Sequence, residues 1–270
     1  MITDVAQRWN NGAARYRPAH EVIRPSDYEV AEISTDGPAK AFVQKHHYSG
    51  SYPAARFRFG LYRAGKMVGV AVFSHPSNNK VLTNIFPGDV MESVELGRLV
   101  LSDSVPGNGE SWMIARCFEI LKARGILGVV SFSDPEPRTT LGGDIIFKGH
   151  LGTIYMASNA CYQGRATART LRILPDGSVL SERTLSKIRA GERGWQYGAA
   201  ILQAHGATPL IGSADAWLKE WLPRLTRPLR HAGNHKYAWI LPKKSRHFLP
   251  PSLPYPRVSA AVSLEPIQAA

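Results

Sequence analysis

Four short stretches of this 270-residue chain hold residue types able to do chemistry. KHHYSG at 45–50 sets two imidazoles beside a phenol and a hydroxyl, a group able to move protons, hydrogen-bond or ligate a metal. Adjacent helical residues do not share a face, so at most one of His46 and His47 joins Tyr48. A solvent-exposed His-His pair is the plainer alternative. FSDP at 132–135 puts Asp134 just past an apolar strand, the end at which open α/β sheets bind ligands. Asp before Pro also starts ordinary turns. GHLGTIY at 149–155 carries His150 and Tyr155 on a tight glycine-bounded path, where Tyr155 equally suits the edge of a core. PGNGES at 106–111 would present backbone N–H groups and a helix dipole to an anion, with Gly107 and Gly109 allowing close approach and Ser111 donating. It is neither a Walker loop nor a dinucleotide fingerprint, and a tight turn would look the same. Arg98, alone in an apolar strand, could face a ligand or complete an internal ion pair.

Those residues need elements to hold them. Residues 36–50 read as a helix that ends near the His-Tyr pair, with Gly50 as its stop. RFRFGLYR (56–63) and KMVGVAVFSH (66–75) form a hairpin across Ala64-Gly65. SVELGRLVL (93–101), the glycine loop, an amphipathic helix ending at Gly125 and ILGVVSFSD (126–134) make a parallel crossover unit, which predicts an α/β fold. A long polar, glycine-rich connection follows. TIYMASNACYQG then predicts a short strand or turn before a short helix. ATARTLRIL (166–174) reads as a strand with a turn at Pro175-Asp176-Gly177. Residues 184–206 and 213–225 read as helical, and HKYAWIL (235–241) as a closing strand.

The chain carries 33 Lys+Arg against 21 Asp+Glu, a net charge of +12. Residues 163–257 hold 16 of the basic residues and 5 of the acidic ones. Such an excess points to a polyanion, nucleic acid before an anionic membrane. The division sets residues 1–162 as a near-neutral core with the candidate site and 163–249 as a basic portion. The Pro- and Ser-rich 250–270 reads as a flexible or loosely docked tail. Arg165, Arg169, Lys187, Arg189, Arg193 and Lys236 are candidates for phosphate contacts. Trp195, Tyr197, Trp217 and Trp221 could stack a base, although Trp217 and Trp221, at i and i+4, suit a core better. Two cysteines, Cys117 and Cys161, exclude a disulfide scaffold and read as reduced packing residues. With no apolar leader and no span of membrane length, the expectation is a soluble protein with no membrane partner.

The set KHHYSG, ELGRLVL, the loop before ESW, FSDP and GHLGTIYMASN resembles the phage Mom family of DNA-modifying proteins. It covers most of residues 36–163, and GNHKYAW at 233–239 is similar to that family's closing segment. The resemblance implies a GNAT-like acyltransferase fold: a mixed central sheet flanked by helices, its central strands splayed around an acyl-CoA site, here with a basic C-terminal helical extension. It implies conversion of adenine in double-stranded DNA to N6-carbamoylmethyladenine, protection of phage DNA from restriction, and a cytoplasmic location. Arg98, Asn108, Gly109 and Ser111 would bind the cofactor, acetyl-CoA or a related two-carbon donor. His47, Tyr48, Asp134 and Tyr155 would form the reaction centre, and the set suggests iron held by Tyr48, Asp134 and Tyr155. Two departures stand out. Ser104 lies where GNAT loops usually carry Arg or Gln, and EPRTTLGGDIIFK interrupts the expected join of Asp-Pro to Gly-His. A GNAT-type N-acyltransferase of a protein or small amine, and a non-catalytic DNA-binding protein, remain the competing readings.

Overall fold

The computed structural model describes residues 5–18 and 20–257. The chain opens with β1 (Val5–Asn10), β2 (Ala13–Pro18), β3 (Tyr28–Glu32), α1 (Asp36–His46), β4 (Ala55–Arg63) and β5 (Lys66–Ser74). Next come α2 (Lys80–Thr83), β6 (Ser93–Leu101), α3 (Gly109–Ala123) and β7 (Gly128–Ser133). A small hairpin, β8 (Arg138–Thr139) and β9 (Ile145–Phe147), precedes α4 (Thr153–Ala157) and β10 (Cys161–Arg165). Then follow β11 (Arg169–Ile173), β12 (Val179–Leu180), α5 (Glu182–Ala190), α6 (Trp195–Ala204), α7 (Ala214–Leu225) and β13 (Arg227–His231), and β14 (His235–Ile240) closes the series.

Contacts divide the chain into two units. The first, residues 1–135, 150–164 and 234–270, holds a seven-stranded sheet of order β10-β14-β7-β6-β5-β4-β3. Its strands alternate apolar residues to both faces, as period-two geometry requires. Ala71, Phe73, Val129, Tyr237 and Trp239 pack with Met113, Ile114, Cys117 and Leu121 of α3. Val70, Val72 and Val100 pack with Ala39 and Val43 of α1. Val130, Ala238 and Ile240 pack with Leu82, Ile85 and Phe86 around α2. This is the mixed α/β class expected, with helices on both faces of the sheet.

One pairing opens the sheet. β6 and β7 run parallel, as the crossover predicted, and share register only from Ser93–Glu95 to Gly128–Val130. At Gly97 the β5–β6 register shifts, so that Val72 faces Arg98 and Phe73 faces Leu96. The bulge puts Leu96 on the side opposite Arg98 and Val100 and Glu95 on the same side as Arg98, and it marks where the two central strands part.

The second unit, residues 136–149 and 165–233, holds the three-stranded sheet β12-β11-β13, the β8–β9 hairpin and α5–α7 around Leu185, Ile188, Leu202, Trp217 and Leu218. The expected division at 162/163 is therefore corrected. The basic portion is not a C-terminal extension but an insertion, and residues 234–249 return to the first unit to form β14. The reason is pairing: His235–Ile240 join Ser133–Gly128 antiparallel, which binds the end of the chain to the central strand β7. Basic residues are shared accordingly. The second unit has 13 Lys+Arg and 7 Asp+Glu, the first 20 and 14, so each carries +6.

Other expectations also shift. α1 ends at His46, with His47 already extended at φ −79° and ψ 136°. The order over 153–165 is helix then strand, α4 then β10, the reverse of that predicted. The long helical region splits at Gly191 and Gly194, both at positive φ, into α5 and α6. Residues 250–257 are docked: Leu253 N–H donates to the Tyr162 carbonyl at 3.0 Å, and the Ser252 hydroxyl accepts from Tyr162 N–H at 3.0 Å. The remainder of the expected tail, 258–270, lies outside the described residues. Among these, no helix is long and apolar enough to cross a membrane.

Candidate functional site

A cleft with a cavity volume of about 60 Å³ opens in the first unit where β6 and β7 part. β6 supplies Gly97 to Leu101, the segment after α1 supplies His47 and Tyr48, and β7 supplies Phe132. The stretch leading into α4 supplies His150 and Gly152 to Tyr155. β1 adds Gln7, Arg8 and Trp9.

The two histidines separate because α1 ends between them, His46 being its last residue and His47 extended. His46 turns away, its Nδ1 2.8 Å from Asn10 Oδ1 and its ring against Phe42. His47 is buried and stacks on Tyr48 with ring centroids 4.3 Å apart. Ser49 N–H donates to His47 Nδ1 at 3.1 Å. A backbone donor fixes that nitrogen as the acceptor, so in the neutral ring Nε2 carries the proton. Burial, then the Arg98 charge and His150, hold the His47 pKa well below the ordinary histidine value. The imidazole is thus neutral at pH 7 and donates through Nε2.

Tyr48 also meets Trp9, with centroids 4.5 Å apart, and His150, at 5.9 Å. Tyr155 is buried from the opposite wall against Tyr237 and Trp239. Burial raises its pKa, with Glu95 adding to the shift and Ser131 and Arg98 opposing it, so the phenol stays protonated. Arg98 is anchored by Ser51, its Nε donating to the carbonyl at 2.9 Å and Nη2 to the hydroxyl at 2.7 Å. Its charge is favoured by Tyr48, Glu95 and Tyr155 and penalised by burial, which prevails and lowers its pKa. Glu95, also on β6, is pushed up by burial against the pull of Arg98.

Of the expected reaction centre, the structure brings together His47, Tyr48 and Tyr155, with Arg98 among them. Asp134 follows β7 directly, and its carbonyl accepts from His150 N–H at 2.8 Å, so the inserted residues 136–148 do not part it from the GHLGTIY stretch. Trp9 and Glu95 escaped the sequence reading. The signal for β1 was present in Asn11-Gly12: Asn11 at φ 49° and Gly12 at φ 75° make the two-residue hairpin turn that brings β1 and β2 together.

Asn108, Gly109 and Ser111 do not line this cleft. Asn108 Oδ1 accepts from Ile23 N–H at 2.7 Å, Gly109 N–H donates to the Pro106 carbonyl at 2.9 Å, and Ser111 Oγ donates to the Asn108 carbonyl at 2.9 Å. Their polar groups hold the loop itself, and of the residues expected to bind the cofactor Arg98 alone lines the cleft. Iron is not supported: the described residues contain no group of three or more His, Cys, Asp or Glu side chains able to hold a metal ion.

The expected phosphate contacts are spread over both units. Lys236 lies on β14, and the other five belong to the second unit. There Arg165 pairs with Glu136 and Arg189 with Asp215, each at 3.7 Å, while Arg193 is exposed. Trp217 is buried, Trp195 and Trp221 pack on the same core, and Tyr197 is 74% exposed.

A mixed sheet whose parallel central pair parts over an Arg–His–Tyr cleft defines an α/β protein with a candidate site at the strand opening. The Mom protein family matches residues 27–257, and the chain belongs to that family. "Methylcarbamoylase mom" of Escherichia phage Mu is 26% identical over 161 residues, 58% of this chain and 61% of that protein, so the match spans about three-fifths of the relative's length. Similar solved structures include an N-acetyltransferase of Staphylococcus aureus Mu50, 18% identical over 43% of this chain and 56% of that one, at a TM-score of 0.27. A Bacillus subtilis acetyltransferase in complex with CoA is 9% identical over 79% and 97%, at 0.33. A tandem GNAT protein from the clavulanic acid biosynthesis pathway is 9% identical over 66% and 64%, at 0.37.

Proposed function

We propose that this protein is an enzyme that modifies adenine in DNA, forming N6-carbamoylmethyladenine and so shielding phage DNA from restriction. The observation that carries the reading is the cleft of His47, Tyr48, Arg98 and Tyr155 at the strand opening of a Mom-family chain. The name of the phage Mu relative supports the type of group transferred.

Adenine N6 is a weak nucleophile because its lone pair is delocalised into the ring. The base would leave the duplex stack to reach a cleft of this kind. Trp9 and Tyr48 offer ring faces against which it could rest. N6 forms a bond to the methylene carbon of a carbamoylmethyl donor, the donor's leaving group departs with the bonding electron pair, and N6 loses one proton. Asp134 is the candidate for receiving that proton. His47 Nε2–H and the Tyr155 hydroxyl are donors suited to a ring nitrogen or the carbamoyl oxygen, and Arg98 would stabilise negative charge on the departing group. Arg169, Lys187 and Arg193 of the second unit, with Arg165, Arg189 and Lys236, would meet the phosphate backbone.

Expression beside a plasmid, digestion of the DNA to nucleosides and mass spectrometry test this reading. A carbamoylmethylated deoxyadenosine is expected from the unaltered chain and not from Asp134→Ala. Unmodified adenine at good soluble expression would overturn it.

A further inference from the structure

The loop Ser102–Asn108 between β6 and α3 has the glycines of an anion cradle, and the fold family leads one to expect a nucleotide diphosphate there. Its amides already have acceptors. Gly107 N–H donates to Glu21 Oε2 at 3.1 Å, and Asn108 N–H donates to the Glu21 carbonyl at 3.3 Å. The Glu21 carboxylate thus stands where a phosphate oxygen would. It is held in turn by Arg17, through Nε at 3.0 Å and Nη2 at 2.6 Å.

The loop's carbonyls are equally committed. Arg8 of β1 donates from Nη1 to the carbonyls of Ser102 at 2.9 Å and Val105 at 2.6 Å, and from Nη2 to that of Pro106 at 3.1 Å. The same guanidinium pairs with Glu110, Nε to Oε1 and Nη2 to Oε2, each at 2.9 Å. Arg8 is 2% exposed and Glu110 4%. Glu110 lies in the first turn of α3, so the helix N-terminus already faces a carboxylate. A diphosphate would have to expel Glu21 and settle beside Glu110. Space is also short, since a Cβ at Gly109 would collide with Val105. That glycine is explained by close packing within the chain, without an approaching ligand.

We infer that the β6–α3 loop is the seat of the protein's own N-terminal hairpin and the segment after it, and that the transferred group arrives on a carrier with no nucleotide diphosphate anchored at this loop. The inference rests on the reading of the cleft as a group-transfer site. It also gives the hairpin a task. Arg8 docks β1 on the loop, and the neighbouring Trp9 becomes a wall of the cleft, 6.1 Å from His150 between ring centroids.

Calorimetric titration of the full chain with coenzyme A and acetyl-CoA, followed by amide hydrogen exchange with and without each, tests the seat. The expectation is no change in exchange over residues 102–111 at millimolar ligand. Binding that leaves those amides unaltered also supports the inference, because the ligand then sits elsewhere. Saturable binding that alters exchange at Gly107 and Asn108 would overturn it. In a second arm, Glu21→Ala is expected to speed exchange at Gly107, whose acceptor is the side-chain carboxylate, and an unchanged rate there would count against the seat. Neither readout needs DNA, so absence of modified adenine would sink the proposed function and leave this result standing.

Discussion

The pH behaviour of His47 follows from its surroundings. Its folded pKa lies well below 6.5 while the unfolded chain titrates near 6.5. Below that value the unfolded state binds a proton that the folded state refuses, so stability from this group is full above about pH 6.5 and is lost as pH falls. Thermal melts of the unaltered chain should drop between pH 7.5 and 5.5, and His47→Gln should show a shallower drop. Parallel curves for the two would contradict the assignment. What the sequence could show at this scale was the residue types and the place where the helix stops, to within a few residues of Gly50; the separation of His46 from His47 comes from α1 ending between them. The tautomer was not legible, because it depends on Ser49 N–H, whose direction follows from where α1 stops. Glu95 was missed for a similar reason: its place beside Arg98 depends on the bulge at Gly97, which shifts strand register without a distinctive residue pattern.

At the scale of elements, the Arg8–Glu110 pair makes a double-mutant cycle informative. Removing one partner of a buried pair typically costs about 3–5 kcal/mol, whereas replacing both with apolar residues is often close to neutral. Arg8→Met should therefore lower the unfolding free energy by about that amount, with Glu110→Met in the same range. The double variant should regain much of the loss, less the bonds Arg8 makes to the three loop carbonyls. Denaturant titration measures all four corners, and simple additivity would mean the two residues are not coupled. Periodicity read most of the central elements well, β4 to β7 above all, because each is long and buries an alternating or helical face. It failed at 153–165, where five helical residues and five strand residues are too short for either period to stand out. Tertiary pairing at the sheet edge decided those two.

For the whole molecule, the +12 that looked concentrated in one stretch is divided evenly, because β14 carries the chain back into the first unit. Under the proposed function both units would then contribute phosphate contacts. Affinity for duplex DNA should fall steeply with salt, and each lost phosphate contact should reduce the slope of log K against log salt by about 1. Arg193→Ala and Lys236→Ala, one in each unit, should both show that reduction by fluorescence anisotropy. A slope unchanged by either would remove that residue from the interface.

The docked segment after Leu249 has a consequence for solubility. β10 is the last strand of its sheet, and a bare edge is a template on which other chains add strands. Here Tyr162 N–H and C=O are taken by Ser252 and Leu253, and the Tyr255 hydroxyl donates to the Ala160 carbonyl at 2.5 Å. The covering segment has prolines at Pro250, Pro251, Pro254 and Pro256, which lack the N–H a further strand would need. The edge is covered by a proline-rich strip that is a poor template for a further strand. A chain shortened to Leu249 should fold and then self-associate as concentration rises, visible in sedimentation velocity, while the full chain stays monodisperse under the same conditions.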